Sequence, residues 1–79
     1  MARPKLELFY KVGCPWCEKV FSYMRENDIT VDATYDIYDG DANRERLIEV
    51  GGKQQVPCLI IDGKPLYESS DIIDYLAGL

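Results

Sequence analysis

The chain has 79 residues, 47% of them hydrophobic and 29% charged, and its 14 acidic and 9 basic residues give a formal net charge of −5. The acidic balance and the lack of long charge runs argue against nucleic acid or an anionic membrane surface as a partner. No window approaches the ~20 apolar residues of a membrane-spanning helix, so we expect a soluble globular chain.

The first part of the chain predicts a strand, a helix and a second strand. Leu6–Tyr10 is a short run with alternating apolar residues, which is typical of a strand. From Pro15 the apolar residues recur at helical spacing, and Asn27-Asp28 provides a stop. Residues 31–37 alternate between apolar and acidic or polar side chains, which indicates an edge strand with one face in water.

The second part predicts a helix, a hairpin and a last helix. A helix capped by Asp41 runs to residue 50 and ends at a pair of glycines. Residues 56–61 are almost continuously apolar, which predicts a strand covered on both faces. An Asp-Gly turn then leads into a strand at residues 64–67. Ser69 or Ser70 caps the last helix, whose apolar residues recur to the end of the chain.

The predicted order is therefore β-α-β-α-β-β-α. A right-handed crossover makes the first two strands parallel, and the Asp-Gly hairpin makes the last two antiparallel. We expect an α/β domain over residues 1–79, with a four-stranded mixed sheet flanked by helices on both faces.

The numbers of cysteine and histidine residues limit the kinds of catalytic and metal-binding sites that the chain can form. The chain has three cysteines and no histidine, which excludes histidine-based triads and histidine-rich zinc sites. An odd number of cysteines fits two reactive thiols and one other thiol in a reducing compartment better than a secreted disulfide scaffold. The basic start, residues 1–5, is not followed by the apolar core of a signal peptide. We therefore expect a cytoplasmic protein.

The segment Cys14-Pro15-Trp16-Cys17 is the candidate redox site. A thiol attacks a disulfide as its thiolate, and an unperturbed cysteine with a pKa of ~8.5 is mostly protonated at neutral pH. Cys14 lies where the strand gives way to the helix, so free N–H groups and the helix dipole favour its anion. Lys11 adds a positive charge on the same loop. Cys17, one turn into the helix, is more buried, so Cys14 attacks and Cys17 resolves.

Two other interpretations of this pair remain open. A zinc site needs about four ligands, and only Cys58 is available as a third thiolate. A purely structural disulfide across so short a loop would stabilise the fold little. Both are therefore weaker than the redox interpretation. Cys58 is expected to be a small buried hydrophobic residue that points away from the dithiol, with a regulatory or glutathionylated thiol as the alternative.

Pro57 requires an explanation because proline is unusual in a central strand. A cis peptide bond after Val56 would turn the Val56 backbone outward, where its N–H and C=O could pair with an extended substrate. A simple proline at the start of the strand is the alternative.

These segments resemble the glutaredoxins over essentially the whole chain. The resemblance is carried by Lys11 and the Cys14 to Cys17 motif, by Gln55-Val56-Pro57, by Asp62-Gly63-Lys64 and by the polar start of the last helix. It implies a thioredoxin-like fold in which Pro57 is the cis-proline. It also implies binding of glutathione as co-substrate and reduction of disulfides, above all mixed disulfides between proteins and glutathione.

The resemblance also implies roles for individual residues. Lys11 and Gln55 fall where glutaredoxins contact the glycine carboxylate of glutathione, and Val56 falls where their backbone pairs with its cysteine. Trp16 replaces the usual tyrosine as an aromatic wall. Gln55 departs from the usual threonine before Val-Pro.

The segment from Tyr67 onwards looks instead like the N-terminal domain of glutathione transferases. There a Glu/Gln-Ser pair holds the γ-glutamyl carboxylate, which implies that role for Glu68, Ser69 and Ser70. Serine hydroxyls and free N–H groups at a helix start can bind a carboxylate, and they can equally serve as ordinary caps.

The leading functional hypothesis is a monomeric dithiol glutaredoxin that needs no metal and acts on disulfide-containing or glutathionylated proteins. One alternative is a redoxin-type electron donor recharged by thioredoxin reductase. Another is a dimer that binds a [2Fe–2S] cluster through Cys14 and two glutathione molecules, which Pro15 disfavours because cluster-binding glutaredoxins usually carry glycine there.

Overall fold

The computed structural model describes residues 4–79, so residues 1–3 of the basic start lie outside the described part of the chain. Seven elements follow in the predicted order: β1 (Leu6–Tyr10), α1 (Pro15–Glu26), β2 (Ala33–Asp36), α2 (Asp41–Gly51), β3 (Cys58–Ile61), β4 (Lys64–Tyr67) and α3 (Ser69–Ala77). In residues 4–79, no helix combines the length and the apolar character needed to cross a bilayer.

The four strands form one mixed sheet in the order β2-β1-β3-β4. Strand β1 pairs in parallel with β2, with Leu8 opposite Thr34. It pairs antiparallel with β3 on its other side, and β3 and β4 form the antiparallel hairpin. The predicted pairing directions and the edge position of β2 are confirmed, and the architecture is the thioredoxin-like fold that the resemblance implied.

Two apolar clusters lie on opposite faces of the sheet because alternate residues of a strand point to opposite sides. Leu59 of β3 packs with the cluster beneath α1 and α3, whose buried members are Leu6, Leu8, Val20, Met24, Leu59, Ile72 and Leu76. Ile60 packs with the cluster beneath α2, whose buried members are Phe9, Ile37, Leu47, Cys58 and Ile60. Strand β3 therefore contributes to both cores.

Strands β2 and β3 are each two residues shorter at the start than their apolar patterns predict. Before β2, the Asp32 N–H donates to the Leu6 carbonyl at 2.9 Å, and the Asp32 carboxylate accepts from the Leu6 N–H at 2.7 Å. At this point one of the two bonds to β1 is therefore made by a side chain instead of the backbone. Before β3, Pro57 lacks the N–H that ladder pairing requires.

The helix starts differ from the predicted caps. Neither Ser69 nor Ser70 caps α3, because Glu68 occupies the N-cap position with φ of 72° and Ser69 is the first helical residue. Asp41 is the first residue of α2, and Gly40 holds the N-cap position with φ of 84°, where a side chain would be strained. The predicted glycine stop of α2 is confirmed, since Gly52 is its left-handed C-cap.

A buried acidic residue fastens α2 to the sheet. Glu7 of β1 is only 4% exposed and faces the α2 side. Its carboxylate accepts a hydrogen bond from the Tyr35 hydroxyl at 3.1 Å and forms an ion pair with Arg46 of α2 at 3.0 Å. The Arg46 guanidinium also lies over the Phe9 and Tyr35 rings. Because these partners lie far apart in the sequence, strand alternation alone does not reveal the network.

Candidate active site

The Cys14 thiol is placed by the junction of β1 and α1. Cys14 is the N-cap residue of α1, with φ of −84° and ψ of 116°, and its carbonyl accepts the Glu18 N–H at 3.0 Å. Pro15 occupies the first turn of the helix, where an N–H would lack a helical partner. The side chain of Cys14 therefore lies beside the free N–H groups of the first helical turn.

The surroundings of Cys14 favour its thiolate. Burial alone would raise the pKa of this thiol, which is 5% exposed. Hydrogen bonds from the Cys17 N–H, the Cys17 thiol and the Trp16 N–H, together with the charge of Lys11, outweigh burial and lower the pKa below that of an ordinary cysteine. The predicted contributions of the helix start and of Lys11 are thus both present.

The surroundings of Cys17 favour its protonated thiol instead. Burial raises the pKa of Cys17 to about 12, and its hydrogen bond to Cys14 acts in the same direction. The Lys11 backbone N–H and the Lys11 charge oppose this shift only partly. All three cysteines of the chain are free thiols. In the reduced pair, the surroundings therefore favour the thiolate of Cys14 and the protonated thiol of Cys17.

A cleft of about 420 Å³ is built from three segments that are distant in the sequence. These segments are the first turns of α1, the loop before β3 and the start of α3. Its lining residues are Trp16, Lys19, Gln55, Val56, Pro57, Glu68, Ser69 and Ser70. All the proposed glutathione-binding residues except Lys11 therefore line one cleft.

The floor of the cleft presents backbone groups. The Val56-Pro57 bond is cis, as the resemblance implied. Within residues 4–79, the Val56 N–H and C=O have no hydrogen-bond partner. An extended ligand can therefore pair with Val56 as an added strand.

One contact joins two walls of the cleft. The Gln55 side-chain amide donates a hydrogen bond to the Glu68 carboxylate at 3.3 Å. Glu68 has a positive φ, and Ser69 directly after it is 8% exposed. Trp16 on the opposite wall is 59% exposed, so its ring is available to a ligand.

Two lysines occupy different places around the site. Lys11 acts on both cysteines from the loop between β1 and α1, and it is not among the residues that line the cleft. Lys19 lines the cleft and was missed by sequence reasoning. Its position three residues after Trp16, on the same face of α1, is the signal that could have revealed it.

Cys58 lies away from the dithiol, as predicted. It is fully buried and packs with the cluster beneath α2, whereas α1 packs on the other face of the sheet. Burial raises the pKa of Cys58, and its thiol contacts the Tyr67 hydroxyl. Tyr67 in turn donates a hydrogen bond to the Gly51 carbonyl at 2.9 Å. The described part of the chain contains no group of three or more Cys, Asp or Glu side chains placed to hold a metal ion.

Comparison with known sequences places these features in a family. The model of the glutathione S-transferase N-terminal domain matches residues 8–79. Glutaredoxin-C4 of Arabidopsis thaliana is 36% identical over 72 residues, which cover 89% of this chain and 53% of the relative. The chain thus spans about half the length of this curated relative.

Solved structures with the same fold come from both groups. Oxidised glutaredoxin 2 of Chlamydomonas reinhardtii is 22% identical, with a TM-score of 0.68 over 95% of this chain and 73% of its own. A glutathione S-transferase of Methylobacillus flagellatus, solved with glutathione bound, is 28% identical, with a TM-score of 0.73 over 91% of this chain and 35% of its own. The chain therefore belongs to the glutathione S-transferase N-terminal domain family, as a glutaredoxin-like protein with the thioredoxin-like fold.

Proposed function

We propose that this chain is a glutathione-dependent thiol-disulfide oxidoreductase that reduces protein disulfides and protein-glutathione mixed disulfides. The observation that carries the proposal is the pair of thiols one helical turn apart, with the pKa of Cys14 lowered and that of Cys17 raised to about 12. The 36% sequence identity to a glutaredoxin and the match to the family model support the proposal.

The reaction with a mixed disulfide uses Cys14 alone. The Cys14 thiolate attacks the glutathione sulfur, a Cys14-glutathione bond forms, and the protein leaves as a thiolate that takes a proton from water. The thiolate of a second glutathione then attacks the glutathione sulfur on Cys14. Oxidised glutathione leaves, and the Cys14 thiolate is restored. Hydrogen bonds from the helix start stabilise this leaving thiolate as well as the attacking one.

The reaction with a protein disulfide also uses Cys17. Attack by Cys14 releases one protein thiol and leaves a bond between Cys14 and the other. Cys17 then loses its proton and attacks the Cys14 sulfur, so that the second protein thiol leaves and an internal disulfide forms. Two glutathione molecules reduce that disulfide and become oxidised glutathione.

Each part of glutathione has a proposed partner in the site. The Val56 backbone pairs with the cysteine residue of glutathione, beside Pro57 and the Trp16 ring. Gln55 binds the glycine carboxylate, and Lys11 adds to the positive potential near that end.

The γ-glutamyl end has partners of its own at the start of α3. Glu68, Ser69 and Ser70 bind this end of glutathione. We further propose that the chain acts as a monomer in the cytoplasm, where thiols are kept reduced.

Turnover assays test the proposal. We expect wild-type protein to reduce a glutathionylated peptide with glutathione, glutathione reductase and NADPH, and Cys14→Ser to fall to the background rate. Cys17→Ser should retain activity on the mixed disulfide and lose activity on a protein disulfide. Cys58→Ser is the matched control and should retain both activities.

The same assays separate the alternatives. Full activity of Cys14→Ser would disprove the assigned nucleophile. Turnover with thioredoxin reductase in place of glutathione and its reductase would instead support the redoxin-type electron donor. A coloured dimer after anaerobic addition of iron, sulfide and glutathione would support the cluster-binding alternative.

A further inference from the structure

The cleft beside Cys14 carries one positive and one negative side chain. Among its lining residues, Lys19 is the cation and Glu68 is the carboxylate, and the other side chains are neutral. The remaining neutral polar groups on the α3 side are the hydroxyls of Ser69 and Ser70. The cleft therefore presents one charge of each sign to a ligand.

Lys19 is available to a ligand. In residues 4–79 it forms no ion pair within 4.0 Å and no hydrogen bond through its side chain. Neighbouring cations have other contacts: the Lys11 charge acts on the two cysteines, and the Lys53 ammonium lies 4.5 Å from the centre of the Tyr67 ring. Lys19 is exposed and lines the cleft, so its ammonium group is free to bind a ligand there.

Glu68 supplies the complementary charge. Its carboxylate accepts a hydrogen bond from the Gln55 amide at 3.3 Å. In residues 4–79 it forms no ion pair with a cation. A carboxylate and an ammonium placed along one cleft match an α-amino acid, which carries an ammonium and a carboxylate on the same carbon. In glutathione only the γ-glutamyl end has both groups, because the glycine end has a carboxylate alone.

We propose that Lys19 binds the α-carboxylate of the γ-glutamyl residue, and that it selects for this end of glutathione together with Glu68. The assignment rests on the proposed function and adds a residue to it. Lys19 acts on ligand binding, whereas Lys11 acts on the reactivity of the thiols.

The test compares Lys19→Met with Lys64→Met. Lys64 is an exposed lysine at the hairpin end of β4, remote from the cleft, so it controls for the loss of one surface charge. We expect Lys19→Met to raise the KM for glutathione about fivefold, as an exposed ion pair allows. The kcat and the pKa of Cys14 should stay at their wild-type values. The difference should shrink at high salt because exposed charges are screened.

Two ligand variants identify the carboxylate. With a glutathione analogue in which 4-aminobutyrate replaces the γ-glutamyl residue, Lys19→Met and wild type should have the same KM. With the ethyl ester of the glycine carboxylate, the fivefold ratio should persist. The reverse pattern would assign Lys19 to the glycine end and overturn the proposal.

Failure of the assignment is distinguishable from failure of the proposed function. If wild type turns over glutathione and Lys19→Met behaves like Lys64→Met, the assignment alone is wrong. If wild type has no glutathione-dependent turnover, the proposed function is wrong and the assignment falls with it. Urea unfolding of each variant checks that a change in KM does not come from a loss of folded protein.

Discussion

Cys14 and Cys17 occupy one turn of α1, yet their pKa values move in opposite directions. Cys14 accepts hydrogen bonds from the helix start, and Cys17 donates its thiol hydrogen to Cys14. Burial raises both pKa values, but only Cys14 has enough donors to reverse the effect. The opposite pKa shifts thus follow from which thiol faces the free N–H groups, and they support the proposed division into attacking and resolving thiol.

The two thiols should label at different pH. We expect iodoacetamide to modify Cys14 with a midpoint below the pKa of an ordinary cysteine and Cys17 with a midpoint near pH 12. Peptide mass spectrometry of reduced protein at a series of pH values measures both. Lys11→Met should move the Cys14 midpoint upward, because it removes a cation that favours the thiolate. The same labelling midpoint for both thiols would contradict the assignment.

The same shift has a consequence for stability. Because folding lowers the pKa of Cys14, its thiolate stabilises the folded state above the unfolded pKa, and this contribution is lost as pH falls through the folded pKa. For Cys17 the sign is reversed, since folding raises its pKa, and its contribution is lost as pH rises towards about 12.

Individual residues differ in how far the sequence predicts them. The dithiol site can be predicted from the sequence because the strand end, the proline and the helix start that define it lie within a few residues of each other. The role of Lys19 depends on Gln55 and Glu68, which join it only after folding. Spacing along α1 predicts that Lys19 lies beside Trp16, but it does not predict which other segments of the chain complete the cleft.

At the scale of elements, α2 is joined to the sheet by polar contacts as well as by apolar packing. Leu47 is its one fully buried residue in the described structure. The ion pair between Arg46 and Glu7, and the hydrogen bond from Tyr35 to Glu7, join this helix to β1 and β2. Since Glu7 is only 4% exposed, the loss of its partners leaves a buried charge with fewer contacts.

Arg46→Met should therefore destabilise the fold. We expect the free energy of unfolding to fall by about 1–3 kcal/mol, because the Glu7 carboxylate loses a charged partner. The half-exposed position of Arg46 keeps the loss below that of a fully buried pair. Equilibrium urea unfolding followed by circular dichroism measures it.

A second variant tests the cause of that loss. The double change Glu7→Leu with Arg46→Met removes the buried charge together with its partner, so it should be less destabilised than Arg46→Met alone. Arg44→Met is the control, since Arg44 pairs with Asp41 on the exposed side of the same helix. If Arg46→Met and Arg44→Met lose equal stability, the Glu7 network contributes nothing specific.

Element positions follow from the sequence more closely than element ends do. Helical and alternating periods, the apolar run of β3 and the Asp-Gly turn before β4 together place all seven elements, because they reflect which residues are buried and where the chain turns. The ends depend on single contacts, such as the Asp32 side chain before β2 and the positive φ of Glu68 before α3. These contacts have no periodic signal. The buried Glu7 was not foreseen for a similar reason, since its partners come from β2 and α2.

At the scale of the whole molecule, β3 joins the two cores. Leu59 and Ile60 are adjacent in sequence and fully buried, and they point to opposite faces of the sheet. A chain of 79 residues buries only a small apolar core on each face of the sheet. Loss of packing on one side should therefore weaken the whole fold rather than one half of it.

Leu59→Ala and Ile60→Ala test this coupling. Each should lower the free energy of unfolding by about 2–5 kcal/mol, because each leaves a cavity in a fully buried site. The unfolding transitions seen by circular dichroism and by Trp16 fluorescence should coincide in both variants. Ile48→Ala, at a site that is 44% exposed, is the control and should lose much less. Separate transitions in either variant would show that the two cores unfold independently.

The order of the elements and the pairing of the strands could be predicted because connection length and handedness restrict the topology. The joining of α1, the loop before β3 and the start of α3 into one cleft was predicted only through a resemblance. No local pattern says that residues 16, 55 and 68 meet. Their meeting results from the antiparallel pairing of β3 with β1 and of β4 with β3.

Because Cys58 is buried beneath α2, a disulfide that includes Cys58 shows that the molecule has opened. Its thiol is fully buried on the side of the sheet that faces away from α1. An oxidised molecule in which Cys58 is bonded to Cys14 or Cys17 must have opened before it was trapped. The fraction of such mispaired isomers in an aged sample therefore sets a lower limit on the fraction of molecules that have unfolded at least once while oxidant was present.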